Sequence, residues 1–188
     1  YFDRLPSKAE GVVREPVWNL SRHSAGMCVR FTTNSTDIYV RYKLHHKDLA
    51  MPHMPATGVS GLDLYANDNE GIDRWVSVIL PNKQNMDLSI AKDLASGLRQ
   101  YTLYLPLYNG VDNLEVGIMK GHLFNPLKPR QEKPILFYGT SIMQGACASR
   151  PGLAIPAILG RRLKRPTINL GFSGNGIMEP EVASLLAE

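Results

Sequence analysis

Ser141 sits just past a short apolar run, in the stretch "ILFYGTSIMQGACASRPG" (135–152). Ile135 to Tyr138 lead straight into Gly139-Thr140-Ser141. A short apolar run bounded by glycine predicts a buried strand, and a serine at its end is presented at the strand's C-terminal edge. Open parallel sheets bind ligands at that edge, and the helix that follows can aim N–H groups at an anion. Two roles fit the hydroxyl equally well on this local pattern: nucleophile, or N-cap of the next helix. A second loop, "NLGFSGNG" (169–176), has the same setting, with a strand before it and a helix after it. Its glycines allow positive φ and close approach of backbone N–H groups to a ligand. If the two strands are parallel neighbours, Ser141 and Gly174 share one sheet edge. A hydroxyl beside free N–H groups is the minimum equipment for acyl transfer, each oxyanion donor contributing about 3–4 kcal/mol.

Other readings of these loops exist. Gly139-Thr140-Ser141-Ile142-Met143 does not make the Gly-x-Ser-x-Gly nucleophile elbow, because Met143 takes the second glycine's place. An ordinary α/β-hydrolase is therefore disfavoured. The second loop can be a plain glycine-rich turn. It can also open a dinucleotide fingerprint with Gly174-Asn175-Gly176, but Met178 and Glu179 follow with no third glycine, and the loop lies in the second βα turn.

The remaining reactive side chains are sparse. All five histidines, His23, His45, His46, His53 and His122, precede the serine segment. His53, in the proline-flanked "MPHMP", is the one expected to face the site and touch substrate, against the plainer role of a loop histidine. Cys28 and Cys147 have neither metal-ligand spacing nor a disulfide framework. Cys147 rivals Ser141 by position but reads as a small buried residue at a helix start. No metal and no cofactor are expected. The net charge of +4 is mild and scattered; the one dense basic run, "GRRLKRP" (160–166), reads as the C-terminal turn of a helix. Nucleic acid is accordingly not an expected partner. No apolar run approaches a membrane span, and the first residues lack a signal-peptide layout, so the expectation is that a leader either never existed or has been removed. The sequons at Asn19 and Asn34 matter only in a eukaryotic secretory host.

The elements that must position these residues fall into two unlike stretches. With 44% hydrophobic and 20% charged residues in 188, the chain is ordinary for a globular protein and can bury a sizeable core. Up to about residue 130 it alternates with period two. In "AGMCVRFTTN" and "DIYVRYKLHH", Val29, Phe31, Ile38, Val40 and Tyr42 take one face, and Arg30, Tyr39, Arg41 and Lys43 the other. "GLDLYAND", "DRWVSVIL", "QYTLYLPL" and "NLEVGIMK" continue the pattern between turn signals such as 68–71, Pro81-Asn82 and Asn109-Gly110. This predicts a jelly-roll-like β-sandwich over 1–130. "HLFNPLKPRQEKP" (122–134) reads as a linker. From 131 to 188 the order is strand, helix near Ile155–Leu163, strand "PTINLGF", loop, helix "EPEVASLLAE": the opening of a doubly wound parallel α/β sheet. Two parallel strands cannot cover both faces of such a sheet, so the chain is expected to be the first part of a longer polypeptide.

"YGTSIMQG" with "NLGFSGNG" resembles the first two sequence blocks of the SGNH (GDSL-type) hydrolases. "SGLDLYAND", containing Gly61-Leu62-Asp63-Leu64-Tyr65, resembles the Gly-x-Asp-Leu-Tyr signature of a β-domain that precedes some bacterial SGNH esterases; "AMPHMPATGVSG" looks like part of the same block. The resemblance implies that Ser141 is the nucleophile and an oxyanion donor, with Thr140 in place of the usual Asp. It implies that Gly174 donates a second oxyanion N–H. Thr140, Asn175 and His53 are the candidate substrate contacts beside them. The family's third oxyanion donor, an Asn, and its catalytic His match nothing in this chain. The resemblance further implies an ester of a small molecule or glycan as substrate, by preference an O-acetylated sugar, and a secreted or periplasmic protein. Asp63 is expected to be a structural acceptor or a contact between the two stretches. Trp18 and Trp75 are expected in the core or an interface rather than as sugar platforms. The contrasting expectation is a non-catalytic glycan-binding β-sandwich.

Overall fold

The computed structural model describes residues 2–68 and 70–187. Asn69 of the turn 68–71, Tyr1 and Glu188 lie outside the described residues. After a 3-10 turn, Ser7–Ala9, comes α1 (Glu15–Ser21), with Pro16 in its first turn where the missing N–H costs nothing. Then follow β1 (Cys28–Thr33), β2 (Ile38–Leu44), a single turn of helix α2 (Ala56–Val59), β3 (Asp63–Asn67), β4 (Asp73–Val78), β5 (Asn85–Ala91), β6 (Arg99–Tyr104), β7 (Val111–Ile118) and β8 (Phe124–Pro126). Two antiparallel sheets result, β4-β3-β6-β1-β8 and β5-β2-β7.

One apolar core joins them: Phe31, Leu64 and Leu103 from the first sheet and Ile38, Val40, Tyr42 and Met86 from the second. β2 keeps the period-two rule without exception, its residues alternating buried and exposed from Ile38 to Leu44. Outward-pointing Arg41 bridges the neighbouring strands through Asp87 at 2.9 Å and Glu115 at 3.2 Å. Both ends are exposed, so these pairs contribute little beside burial of a core leucine, about 1.5–3 kcal/mol.

Two strands fall outside the sequence-based expectation. β5, "NMDLSIA", pairs with β2 across a register shift at Ile38/Tyr39, so its burial does not alternate cleanly. β8 lies inside the stretch read as a linker. It is a three-residue edge strand ending in Pro126, and Phe124 stacks on Phe31 with ring centroids 5.1 Å apart.

The serine segment follows as β9 (Ile135–Gly139), α3 (Ser141–Gln144), a 3-10 turn (Pro151–Leu153), α4 (Ile155–Arg162), β10 (Thr167–Gly171) and α5 (Pro180–Leu186). β9 and β10 pair in parallel, Gly139 opposite Gly171. The chain's first residues pack with its last: Leu5, Ala9, Val13 and Val17 share a core with Leu170, Phe172 and Val182. Arg4 reinforces this, donating to the carbonyls of Gly171 at 2.6 Å, Leu20 at 2.5 Å and His23 at 2.9 Å. Desolvation pushes its guanidinium down to about 9, opposed by Tyr108.

Candidate active site

Because β9 and β10 run parallel and in register, both chains leave the sheet at the same edge. The Phe172 N–H still donates to the Gly139 carbonyl at 2.8 Å, so the pair extends one residue beyond the strands. The loops are pressed together: a Cβ on Gly171 would lie 2.0 Å from the Gln144 nitrogen.

Ser141 is the first residue of α3, and Thr140 occupies the cap position, exposed and without a side-chain cap bond. The cap role therefore does not fall to Ser141. The Ser141 side chain is half-buried, and among the described residues its hydroxyl has no hydrogen-bond partner; its carbonyl accepts from Gly145 at 3.0 Å and Ala146 at 2.8 Å. Gly174 is exposed with φ +69°, at the third position of the turn Phe172–Asn175, which the Asn175 N–H closes onto the Phe172 carbonyl at 2.8 Å. A glycine there satisfies the positive φ such a turn demands. The Ser173 N–H is taken by the Gln144 side chain at 2.9 Å. Among the described residues, that leaves the Gly174 N–H as the one amide of Ser173–Asn175 without a partner.

Gln144 and Tyr108 hold the two loops together, and neither is legible as a site residue in the sequence. Gln144 is fully buried and satisfies its amide across three segments. Its Oε1 accepts from Ser173, and its Nε2 donates to the Leu107 carbonyl at 3.1 Å and contacts His23 Nδ1 at 3.1 Å. Its carbonyl accepts from Asn169 Nδ2 at 3.3 Å. Tyr108, on the β-sheet side, directs its hydroxyl at the Ser141 carbonyl at 3.4 Å. Burial raises its pKa, with a hydrogen bond to the Ser173 side chain opposing, so it remains a donor at neutral pH.

Asp63 joins the signature strand to the segment after α3. It is fully buried. It accepts from the Gly152 N–H at 2.8 Å and the Trp75 indole at 3.0 Å, and faces Arg150 at 3.4 Å. It is thus both a structural acceptor and a contact between the two stretches. Desolvation pushes its carboxyl up to about 6, opposed by Gly152, Arg150, Trp75 and Arg161. Leu64 points the opposite way into the β core, while Tyr65 accepts from Arg150 at 3.2 Å. The signature is therefore a strand buried on both faces.

The other predicted residues are placed less centrally. Asn175 spends its amide nitrogen on the Ser173 carbonyl at 3.0 Å and its oxygen on Arg14 at 3.0 Å. His53 is exposed in the tight turn between Met51 and Met54, whose backbones bond reciprocally at 3.0 and 3.1 Å. That hairpin's Met54 packs with Tyr108, Leu107 and Ala154, so the loop borders the site. Cys147 is not the buried helix-start residue expected: α3 lasts four residues, and Cys147 is exposed in the turn after it, with φ +60°. Trp18 packs at the N-terminal core; Trp75 is 52% exposed, with the Arg150 guanidinium 4.8 Å from its ring centroid.

Among the described residues, none of the five histidines has a contact with the Ser141 hydroxyl. His23 lies behind Gln144 and is pushed down to about 3 by burial first and Arg4 next, which keeps it neutral. His45 bonds Asp112 at 2.8 Å, His46 packs on it, and His122 meets the Asn34 carbonyl at 3.2 Å.

Two family models match the chain: the GxDLY N-terminus of SGNH hydrolase-type esterases over residues 1–124, and the GDSL-like lipase/acylhydrolase family over 132–188. No curated protein matches. Among solved structures, a protein named GDSL-like lipase from Bacteroides ovatus is 34% identical with a TM-score of 0.94, covering 100% of this chain and 55% of its own. The salicylyl-acyltransferase SsfX3 of a tetracycline biosynthetic pathway is 20% identical, TM-score 0.76, with 99% and 51% covered. A family two carbohydrate esterase from Clostridium thermocellum, solved with cellohexaose, is 17% identical, TM-score 0.56, with 83% and 50% covered. The last two likenesses are of fold alone. The chain spans about half the length of the structures it matches. No described helix is long and apolar enough to cross a membrane.

Proposed function

Because this chain belongs to the family of GxDLY N-termini of SGNH hydrolase-type esterases, continued by a GDSL-like segment, we propose that it carries the nucleophilic half of a serine esterase. One observation supports this above the rest. An unbonded hydroxyl and an unbonded glycine N–H leave the same sheet edge on loops tied together by Gln144 and Tyr108. In this reading Ser141 Oγ adds to the ester carbonyl carbon while its proton passes to a base. The carbonyl oxygen becomes an oxyanion held by the N–H groups of Ser141 and Gly174. Collapse breaks the bond to the alcohol, which leaves with the proton. Water then attacks the acyl group on Ser141 by the same route and releases the acid.

Since no described histidine reaches Ser141, the base and a third oxyanion donor are assigned to groups outside this chain, and the chain alone is expected to turn over little. Residues 1–130 are read as a jelly-roll-like sandwich and 131–188 as the opening of the doubly wound hydrolase sheet. The substrate proposed is an O-acetylated glycan met outside the cytoplasm. The fold-level likeness to a carbohydrate esterase and the half-exposed Trp75 favour it. Trp75 equally favours the second reading, a glycan-binding module without chemistry. A fluorophosphonate probe on the full-length protein separates the two. Labelling, with hydrolysis of p-nitrophenyl acetate, is expected in the wild type and absent in Ser141→Ala. Labelling that survives that substitution removes the nucleophile, and a wild type that neither labels nor hydrolyses supports the binding module.

A further inference from the structure

An open trough of about 740 Å³ runs between the outer face of the five-stranded sheet and α4, away from the loops of Ser141 and Gly174. Arg30, Arg130, Arg161, Arg162 and Lys164 line it, against two carboxylates, Asp73 and Glu132. A second cavity of about 420 Å³ shares Arg30, Arg130 and Glu132 and adds Lys128 and Arg165. Among the described residues none of these seven cations makes an ion pair. Two of them keep a buried N–H with no acceptor: Arg30 Nε and Arg161 Nη1. Seven cations gathered around only two carboxylates, none of them ion-paired, repel one another at a cost that an anionic ligand recovers.

We propose that this trough docks an acidic glycan, a chain bearing carboxylates at intervals along its length. The cations are spread through two joined cavities rather than converging on one point, which suits a linear polyanion better than a single small anion. Asn67 and Gln100 add neutral polar groups for sugar hydroxyls. No aromatic residue lines the larger cavity, so it lacks the stacking platform of single-stranded nucleic acid sites. Pro134, Pro166 and Thr167 place the second cavity at the start of β9 and β10, whereas Ser141 and Gly174 follow their ends. Five-residue strands separate those edges by about 16 Å at 3.3 Å per residue. The trough thus holds a polymer remote from the bond cleaved. The choice of a glycan, though not the existence of an anion trough, rests on the esterase reading.

The test is calorimetric titration of the full-length protein with a galacturonate oligomer and with its fully methyl-esterified counterpart, which has the same chain without the charge. The acidic oligomer is expected to bind at least about tenfold more tightly, and to weaken as salt rises from about 0.01 to about 1 M. Arg130→Gln with Arg162→Gln is expected to weaken it about tenfold more. Neither side chain donates a hydrogen bond within the described protein, so p-nitrophenyl acetate hydrolysis by that variant should be unchanged. Equal affinity for the acid and its ester, or an unaffected double variant, overturns the proposal. Tighter binding of a single-stranded DNA oligomer of equal charge overturns the glycan. Binding is expected to survive Ser141→Ala, so failure of the trough and failure of the esterase reading are read separately.

Discussion

Replacing Asp63 by asparagine tests whether a buried carboxylate ties the signature strand to the segment beyond Ser141. Its ordinary value of 3.8 is pushed up to about 6. Between those values the folded protein holds a proton that the unfolded chain has released, so stability falls as pH rises through the interval. At 1.36 kcal/mol per pH unit the full effect is about 3 kcal/mol. His23 works in the opposite direction. It is pushed from 6.5 down to about 3, so the unfolded chain binds the extra proton in that range and stability rises with pH. The wild-type profile therefore mixes two opposed slopes. The substituted asparagine cannot titrate, and its NH2 group faces one of three donors, which adds a pH-independent cost of about 1–3 kcal/mol. Urea unfolding at several pH values, followed by tryptophan fluorescence, measures the difference between variant and wild type. That difference is expected to shift in the variant's favour by about 2 kcal/mol from pH 4 to pH 7. A difference that stays flat refutes the reasoning, because it places the carboxylate in solvent or keeps it ionised throughout.

Other substitutions probe the loops. Gln144→Ala strands the Ser173 N–H and the Leu107 carbonyl and leaves a cavity. It is expected to cost about 2–5 kcal/mol in urea unfolding and to lower kcat more than KM, since the Gly174 turn loses its tether. Gly174→Ala meets no atom within 4 Å, so its cost is the positive φ alone, about 1–2 kcal/mol. A fall in kcat with labelling of Ser141 retained is the expected kinetic outcome in the full-length protein. Tyr108→Phe removes the hydroxyl that faces Ser141 and Ser173; a loss of about 0.5–1.5 kcal/mol in unfolding free energy checks that it bonds both loops.

Much of the β architecture was legible because half-buried strands write their burial directly into residue order. β2 is the clearest instance, with Ile38, Val40, Tyr42 and Leu44 inward and Tyr39, Arg41 and Lys43 outward. β5 was missed because its register shift breaks the alternation, and β8 because a proline-rich stretch masks a short edge strand. The packing of Leu5, Ala9, Val13 and Val17 against β10 and α5 carries no local signal either. Nothing in residues 5–17 names a partner more than 150 positions away.

At the candidate site the division is sharper. A serine presented where a strand ends and a glycine in a turn needing positive φ are decided by the chain within a few residues, because periodicity and backbone sterics are local. Which groups then hold those two loops is decided only by folding. Gln144 meets Leu107 across 37 positions and Asp63 meets Gly152 across 89. A buried amide or carboxylate must find partners wherever the fold brings donors and acceptors together. Glutamine and aspartate look the same in a sequence whether they end in solvent or inside such a network.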